Sequence, residues 1–498
     1  MITSLLATLV RLPTSIVVYD IETSGLSPEY DQIFQIAALR SDHSFSEPSS
    51  KKSILELRAR RQPWIVPSPA AMLVTRMDPI TLSSGLFHHE MIAAAEDYLR
   101  ARPAIYLTYN GLKFDERFLR NALFRSLCRP YLTQSKGSTR ADLMVMAQAI
   151  SVLDPQAVIV PKTESGRPTF RLGALCRVNN IDFPDEIAHD ALADVRATLA
   201  LARHLKNSSP RLFDQTLALS DKEHAASVLR PGNALYRLAV FGGRPSVRAY
   251  AVIDHTEDDS NGRLCVDLSD DPSNYLALGV DNLSKWMAKR PSPLATLRSN
   301  AHEMVFPIRS DISSQLHSHI RCKAKGQITP PIELLQERAD KIARNAAFVD
   351  RLHTVIAEQQ AALTPRPHVD SQLYSGGFAP DSDFHHARSI LADAHVNIHP
   401  SSLEPLRDPR LREFASRILY EAAAGGLDEP THRRLETWKC ERLLGPADAP
   451  WRTIAAAREE LGKLRQAVKE TDQSRLLEID EWLSALEADA RRTLKTYF

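Results

Sequence analysis

Cysteine is scarce and scattered in this chain. Cys128, Cys176, Cys265, Cys322 and Cys440 fall far apart, and no Cys-x-x-Cys pair occurs. That pattern suggests neither a zinc site nor a disulfide framework, and it fits a reducing cytoplasm. Long apolar runs are missing too. No stretch approaches the ~18 uninterrupted apolar residues of a membrane span. The mildly apolar start, Met1 to Val10, lacks a basic n-region and is broken by Arg11 and Pro13, so the sequence predicts no signal peptide. Nor is there an excess of one charge: Lys+Arg 62 against Asp+Glu 61 give +1. Any attraction for a polyanion must then come from local patches. There is no internal repeat and no long low-complexity tract.

What remains is an ordinary soluble composition, 43% hydrophobic and 25% charged over 498 residues. A chain of that length predicts roughly three domains of ~100–200 residues. Residues 14 to about 205 alternate the two periods of an α/β domain. Strands are expected at Ile16–Glu22, Gln35–Arg40 (antiparallel to the first) and Ala104–Tyr109. Helices are expected at Met91–Arg100, Glu116–Phe124 and Ala188–Lys206, the last with Leu192, Val195, Leu199 and Ala202 at helical spacing. Asn207-Ser-Ser-Pro210 reads as a linker. Short β runs follow at Leu238–Phe241, Arg248–Asp254 and Arg263–Asp267, with Asp258-Asp-Ser-Asn-Gly262 as a turn cluster. Pro330-Pro331 opens one long helix, Ile332–Leu363. After a Pro/Gly/Ser-rich break from Pro365 to Asp383, helices are expected at Arg410–Ala424, Thr431–Leu444, Thr453–Glu470 and Gln473–Thr496.

The chemistry sits in acids. Asp20 and Glu22 are two apart at the end of the first strand, so both carboxylates face one spot. Alone, such a pair could simply be solvated at a strand end. Asp115 closes Asn110-Gly-Leu-Lys-Phe-Asp115 and could equally cap the helix after it. His189 and Asp194 are five apart, about 140° apart on one helix. They converge only if Asp190 is the cap and His189 lies just outside. Gathered together, Asp20, Glu22, Asp115 and Asp194 repel one another unless they bind cations or stay partly protonated. That pattern points to a two-metal phosphodiesterase site.

Three motifs in this order, Asp20-Ile-Glu-Thr-Ser-Gly25, Asn110-Gly-Leu-Lys-Phe-Asp115 and His189-Asp-Ala-Leu-Ala-Asp194, resemble the DEDD superfamily of 3′→5′ exonucleases, histidine-containing branch. Pro67-Ser-Pro-Ala-Ala-Met-Leu-Val-Thr75, Thr169-Phe-Arg-Leu-Gly173, Pro210-Arg-Leu-Phe-Asp214 and Val369-Asp-Ser-Gln-Leu-Tyr374 look like the bacterial exodeoxyribonuclease I family, from residue 16 to about 395. The resemblance implies a ribonuclease H-like mixed-sheet exonuclease domain (1–206), a small SH3-like β-rich domain with a long helix (207–362) and a helical C-terminal domain (363–498). It implies Mg²⁺-dependent hydrolysis of single-stranded DNA from the 3′ end to 5′-mononucleotides, in DNA repair or recombination.

In that scheme Asp20, Glu22, Asp194 and Asp115 hold two Mg²⁺ ions, with Mn²⁺ as a substitute. His189, with an ordinary pKa near ~6.5, takes the proton of the attacking water. Glu22 also contacts the terminal 3′-hydroxyl. Arg171, Arg120, Tyr131 and Tyr374 fall at DNA-contacting positions, where a ring stacks on any base. Basic runs at Arg58-Ala-Arg-Arg61, Arg321-Cys-Lys-Ala-Lys325 and Arg433-Arg434 are candidates for tracking phosphates, Arg321–Lys325 first. The middle and C-terminal domains would embrace the strand and make digestion processive.

The family binds the acidic tail of single-stranded-DNA-binding protein. Here Asp154 and Gln215 replace the expected basic and aromatic residues. A cytoplasmic monomer without membrane contact is expected. Two other functions fit part of the pattern: a 3′→5′ exoribonuclease of the same superfamily, against which the extra ~290 residues weigh, and a non-catalytic DNA-binding scaffold, against which the intact acid set weighs. The histidine pairs His88-His89 and His385-His386 are rejected as metal ligands, because neighbouring side chains diverge.

Overall fold

The computed structural model describes residues 12–183, 190–241, 244–256, 259–320, 330–361, 367–392, 403–422, 427–467 and 470–497. Its first sheet comprises β1 (Ile16–Thr23), β2 (Ile33–Ser41), β3 (Ile54–Arg58), β4 (Ile105–Thr108) and β5 (Thr139–Asp142) in the order β3-β2-β1-β4-β5. β1–β2 and β2–β3 are antiparallel, whereas β1–β4 and β4–β5 are parallel. This is the mixed, ribonuclease H-like arrangement expected. Around the sheet lie α1 (Pro69–Val74), α2 (His88–Arg100), α3 (Asp115–Arg125), α4 (Leu143–Leu153), α5 (Leu172–Val178), α6 (Ala191–Ser208), α7 (Pro210–Ala218) and α8 (Lys222–Val228).

β1 is apolar on both faces because both are covered. Ile16 and Val18 belong to one core cluster, together with Val195 and Leu199 of α6. Val17, Tyr19 and Ile21 belong to the other, together with Met91, Ile92 and Phe118 of α2 and α3. Burying each such side chain stabilises the layer by about 1.5–3 kcal/mol. Asp20 and Glu22 continue the Ile16/Val18 face, so the layer that buries α6 also aims the acids at its N-terminus.

The second sheet is antiparallel: β6 (Ala234–Phe241), β7 (Arg244–Thr256), β8 (Asp259–Asp267), β9 (Leu294–Arg298) and β10 (Val305–Pro307), ordered β10-β6-β7-β8-β9. It carries α9 (Val280–Met287), α10 (Ser313–Ser318), α11 (Ile332–Ala343) and α12 (Ala346–Ala361). The remainder is helical: α13 (Asp381–Ala392), α14 (Pro409–Glu421), α15 (Glu429–Leu444), α16 (Ile454–Ala467) and α17 (Glu470–Tyr497). These helices dock on the first unit. Phe34, Met72 and Leu82 share a core with Leu443, Ile454 and Leu483, and Phe124 shares one with Phe414. Among the described residues no helix is long and apolar enough to cross a membrane.

Three local expectations are corrected. There is no extended linker at 207–210: α6 runs to Ser208, and Pro210 opens α7 at its first position, where its missing N–H costs nothing. The long helix after Pro331 is two, because the Asn345 side chain accepts the Phe348 N–H at 3.0 Å and starts a second helix. Residues 259–262 are strand rather than turn, pairing with β7 and β9.

Candidate active site

Asp20 stands opposite Ala37 and Glu22 opposite Gln35 in the β1–β2 ladder. Asp194 lies in the first turn of α6, whose N-cap is Asp190, as the sequence suggested. One Asp190 oxygen accepts the N–H groups of Leu192 and Ala193, both at 3.2 Å. The other accepts from Gln35 Nε2 at 3.0 Å and Arg58 Nη2 at 2.8 Å. The cap therefore clamps the start of α6 to β2 and β3. The outcome is that Asp20, Glu22 and Asp194 each present a carboxylate oxygen within 4.8 Å of the others.

Asp115 approaches from α3: its charge acts on Asp20 and Glu22, but it is not among the three acids whose oxygens lie within 4.8 Å of one another. It is the first residue of that helix, with Phe114 at the cap position, so its carboxylate is not spent on capping. Gly111 is required by it: a Cβ there would lie 2.0 Å from Asp115 Oδ2. Asn110 takes the left-handed conformation, φ +62°, that Asn tolerates. Asp142 holds this loop. Its Oδ1 accepts the N–H of Asn110 at 2.9 Å and of Met144 at 3.0 Å. Its own N–H donates to His302 Nδ1 at 2.9 Å, and His302 Nε2 donates to the Thr216 carbonyl at 2.9 Å. Asp142 and His302 escaped the sequence reading. An Asp before the apolar run Leu143–Leu153 is a cap signal, but nothing local says what else it holds.

The electrostatics follow from burial and like charge. Burial, then Asp115, Glu22, Asp194 and Asp190, push Asp20 well above the carboxylate range. Burial, then Asp194, Asp115 and Asp190, push Glu22 up to about 9, with Arg58 pulling the other way. Asp115 is raised by burial, then by Asp142, Glu116 and Asp194. A divalent cation answers this cost directly. The donors are hard carboxylate oxygens, as Mg²⁺-type ions require, and a cation restores the charged forms. The residues present fit such an ion.

Beside Asp115 opens a cleft of about 1360 Å³ between the first unit, β6 and the segment around Tyr374. Arg120, Tyr131 and Tyr374 line it, as do Arg140, Arg237 and Phe378, which the sequence reading did not single out. Tyr374 is 51% and Phe378 89% exposed. Arg171 is exposed at the N-cap of α5, a helix packed against α6, and is not among the residues lining this cleft. His189 and Arg321–Lys325 lie outside the described residues. The other basic runs have local partners. Arg61 is spent on the carbonyls of Gln62, Pro63 and Ile65. Arg433 and Arg434 pair with Glu429 and Glu413. Asp154 caps the C-terminus of α4, and Gln215 lies on α7, which packs against α4.

A family model described as an exonuclease matches residues 17–202. Over 444 residues the chain is 26% identical to exodeoxyribonuclease I of Escherichia coli (strain K12), spanning 86% of this chain and 91% of that one. It is 28% identical over 387 residues to exodeoxyribonuclease I of Haemophilus influenzae, spanning 73% and 77%. Among solved structures, exonuclease I from Methylocaldum szegediense has a TM-score of 0.80 at 23% identity, covering 95% of this chain and 100% of that chain. Escherichia coli exonuclease I in complex with a dA16 oligonucleotide has a TM-score of 0.77 at 22% identity, covering 97% and 100%. An exonuclease family model thus surrounds the clustered acids, and the chain is similar along most of its length to proteins named exodeoxyribonuclease I.

Proposed function

We propose that the chain is a Mg²⁺-dependent 3′→5′ exonuclease that degrades single-stranded DNA to 5′-mononucleotides, in DNA repair or recombination. The observation that carries this reading is the convergence of Asp20, Glu22 and Asp194 within 4.8 Å, beside a cleft lined by arginines and exposed rings. The exodeoxyribonuclease I relatives and the neighbour in complex with a dA16 oligonucleotide support the choice of a single DNA strand.

Asp20, Glu22 and Asp194 would hold the cation, with Asp115 serving a second. Bound there, divalent ions supply charge neutralisation and a more acidic attacking water. His189, the residue before the α6 cap, accepts the water's proton at an imidazole nitrogen. Glu22 also meets the terminal 3′-hydroxyl. Arg120 and Arg171 grip phosphates through charged hydrogen bonds, while Tyr131 and Tyr374 stack on bases without reading them. The working units are 1–206, which contains β1–β5, 207–362, which contains β6–β10, and 363–498, in which only helices are described. The chain acts in the cytoplasm as a monomer. An acidic tail of single-stranded-DNA-binding protein is a further partner, opposed by Asp154.

The test is a Mg²⁺-dependent time course on 3′- and 5′-labelled single strands, duplex and RNA of the same sequence. Early mononucleotide release from the 3′-labelled single DNA strand is expected. RNA lost as fast as DNA would favour the exoribonuclease. No nucleotide release in Mg²⁺ or Mn²⁺ would favour a scaffold.

A further inference from the structure

Glu116 follows Asp115 in the first turn of α3 and is 1% exposed. Its Oε1 accepts from Arg120 Nε at 2.9 Å and Nη2 at 2.8 Å, from Arg140 Nη1 at 3.1 Å and from Thr133 Oγ1 at 2.6 Å. Its Oε2 accepts from the Tyr19 hydroxyl at 2.9 Å. An ionised carboxylate has about two lone-pair sites on each oxygen, so the donors crowd Oε1 while Oε2, among the described residues, keeps one site open. Tyr19 is the residue before Asp20, on the opposite face of β1.

The two arginines lie between this anchor and the cleft, with side chains 14% and 9% exposed for Arg120 and Arg140. Both line the cleft. The Arg120 guanidinium sits 5.6 Å from the Tyr131 ring centroid and close to Tyr374. Arg140 Nη2 donates to the Asn300 carbonyl, between β9 and β10, at 2.5 Å. With its amide oxygen turned inward, Gln134 accepts from Arg120 Nη2 at 3.1 Å and Arg140 Nη2 at 2.6 Å. One carboxylate thus organises contacts to all three walls of the cleft. Two guanidiniums share one negative charge, which leaves an excess positive charge in a partly desolvated floor, where it attracts an anion more strongly than in water.

We propose that Glu116 is the positioning residue for the phosphate-gripping floor of the cleft, fixing Arg120 and Arg140 in the orientation that receives a phosphodiester. The inference rests on the reading that a single DNA strand occupies this cleft. Two effects of removing the charge compete. A bare neutraliser, once removed, would leave the floor more positive and binding tighter. A positioner, once removed, would release the guanidiniums and weaken binding. The shared Oε1, with both arginines and Thr133 converging on it, favours the second.

The experiment is steady-state kinetics of Glu116→Gln on a dT oligonucleotide, with anisotropy binding of the same labelled oligonucleotide in EDTA. Wild type is measured first, and its failure to degrade the strand would sink the exonuclease reading itself. Given an active wild type, KM and the dissociation constant should each rise about tenfold, as for the loss of one charged hydrogen bond, with kcat falling much less. In an Arg120→Ala/Arg140→Ala background, Glu116→Gln should add no further rise, because the effect passes through those arginines. An unchanged or lower KM, or an equal rise in that background, overturns the proposal. If Glu116→Gln does not fold, Thr133→Val and Tyr19→Phe each remove one donor to the carboxylate. Each should raise KM about two- to threefold, and an unchanged KM in both overturns it.

Discussion

Two buried carboxylate sites in this molecule are built in opposite ways. At the end of β1, Asp20, Glu22, Asp115 and Asp194 crowd together, and burial and mutual repulsion push their pKa values up. Between the first unit and the C-terminal helices, Asp370 faces three guanidiniums. Arg417 Nη1 lies at 3.0 Å and Arg442 Nη1 at 3.3 Å, with Arg125 close by, and Trp438 and Trp451 flank Arg442. Burial alone would raise the Asp370 pKa, yet Arg417, Arg442 and Arg125 outweigh it and hold the group well below the carboxylate range. Both sites bury acids. Only the compensated one has its counter-charge within the protein, and that is the physical difference between a latch and a candidate metal site.

The largest expected effect breaks the uncompensated site. Asp20→Asn should cut Mg²⁺-dependent nucleotide release roughly a thousandfold or more, while strand binding in EDTA changes little. In EDTA the same variant should unfold at a higher temperature than wild type, since the cost of burying an acid among other acids is gone. A lower unfolding temperature would mean that these acids are not in conflict.

Breaking the compensated site should do the reverse. Asp370→Asn takes the shared counter-charge from three buried guanidiniums, of which, among the described residues, only Arg417 keeps an ion pair to another carboxylate, Glu413, and should cost about 3–5 kcal/mol in urea unfolding. At temperatures where it remains folded, kcat should stay near wild type. Loss of activity without loss of stability would contradict the latch.

Protons sharpen the comparison at His302, which ties Asp142 to α7. Burial lowers its pKa to about 4. A folded pKa below the unfolded value of ~6.5 means the unfolded chain binds the proton first. Stability therefore falls as the pH drops from about 6.5 to about 4, by a total on the order of 3 kcal/mol. The added proton would place an N–H at Nδ1 against the Asp142 N–H. Urea titrations at pH 7, 5.5 and 4 should show this slope in wild type and a flatter one in His302→Gln. Equal slopes would remove His302 as the cause.

The smallest effect belongs to exposed pairs. Arg491 and Glu487, one turn apart on α17, meet in water. Arg491→Ala should change stability by less than about 0.5 kcal/mol and leave kinetics alone.

Much of the site was legible because its signals are local. A continuous apolar, β-branched run announced β1, the two-residue period of a strand gave Asp20 and Glu22 a shared facing, and an Asp before an apolar 3.6-residue pattern announced the α6 cap and hence Asp194. Asp115 was legible as a context but not as a choice between cap and ligand. The cap reading fell to the helix boundary, which puts Phe114 at the cap position and Asp115 inside the helix. The Asn345 break and the continuous α6–α7 passage were missed because each turns on a single cap or a proline at its tolerated position. Glu116, Arg140 and Asp142 were missed for another reason. Their partners lie up to 160 residues away, as with Arg140 and Asn300 or Asp142 and His302, and no window on the chain contains both ends.

By itself the sequence determined which segments become strand or helix and which acids share a face, because backbone periodicity and capping are short-range. Only the tertiary structure decided which buried carboxylates meet a guanidinium and which do not. A Coulomb sum is taken over space rather than along the chain, and it is that sum which separates Asp370 from Asp20.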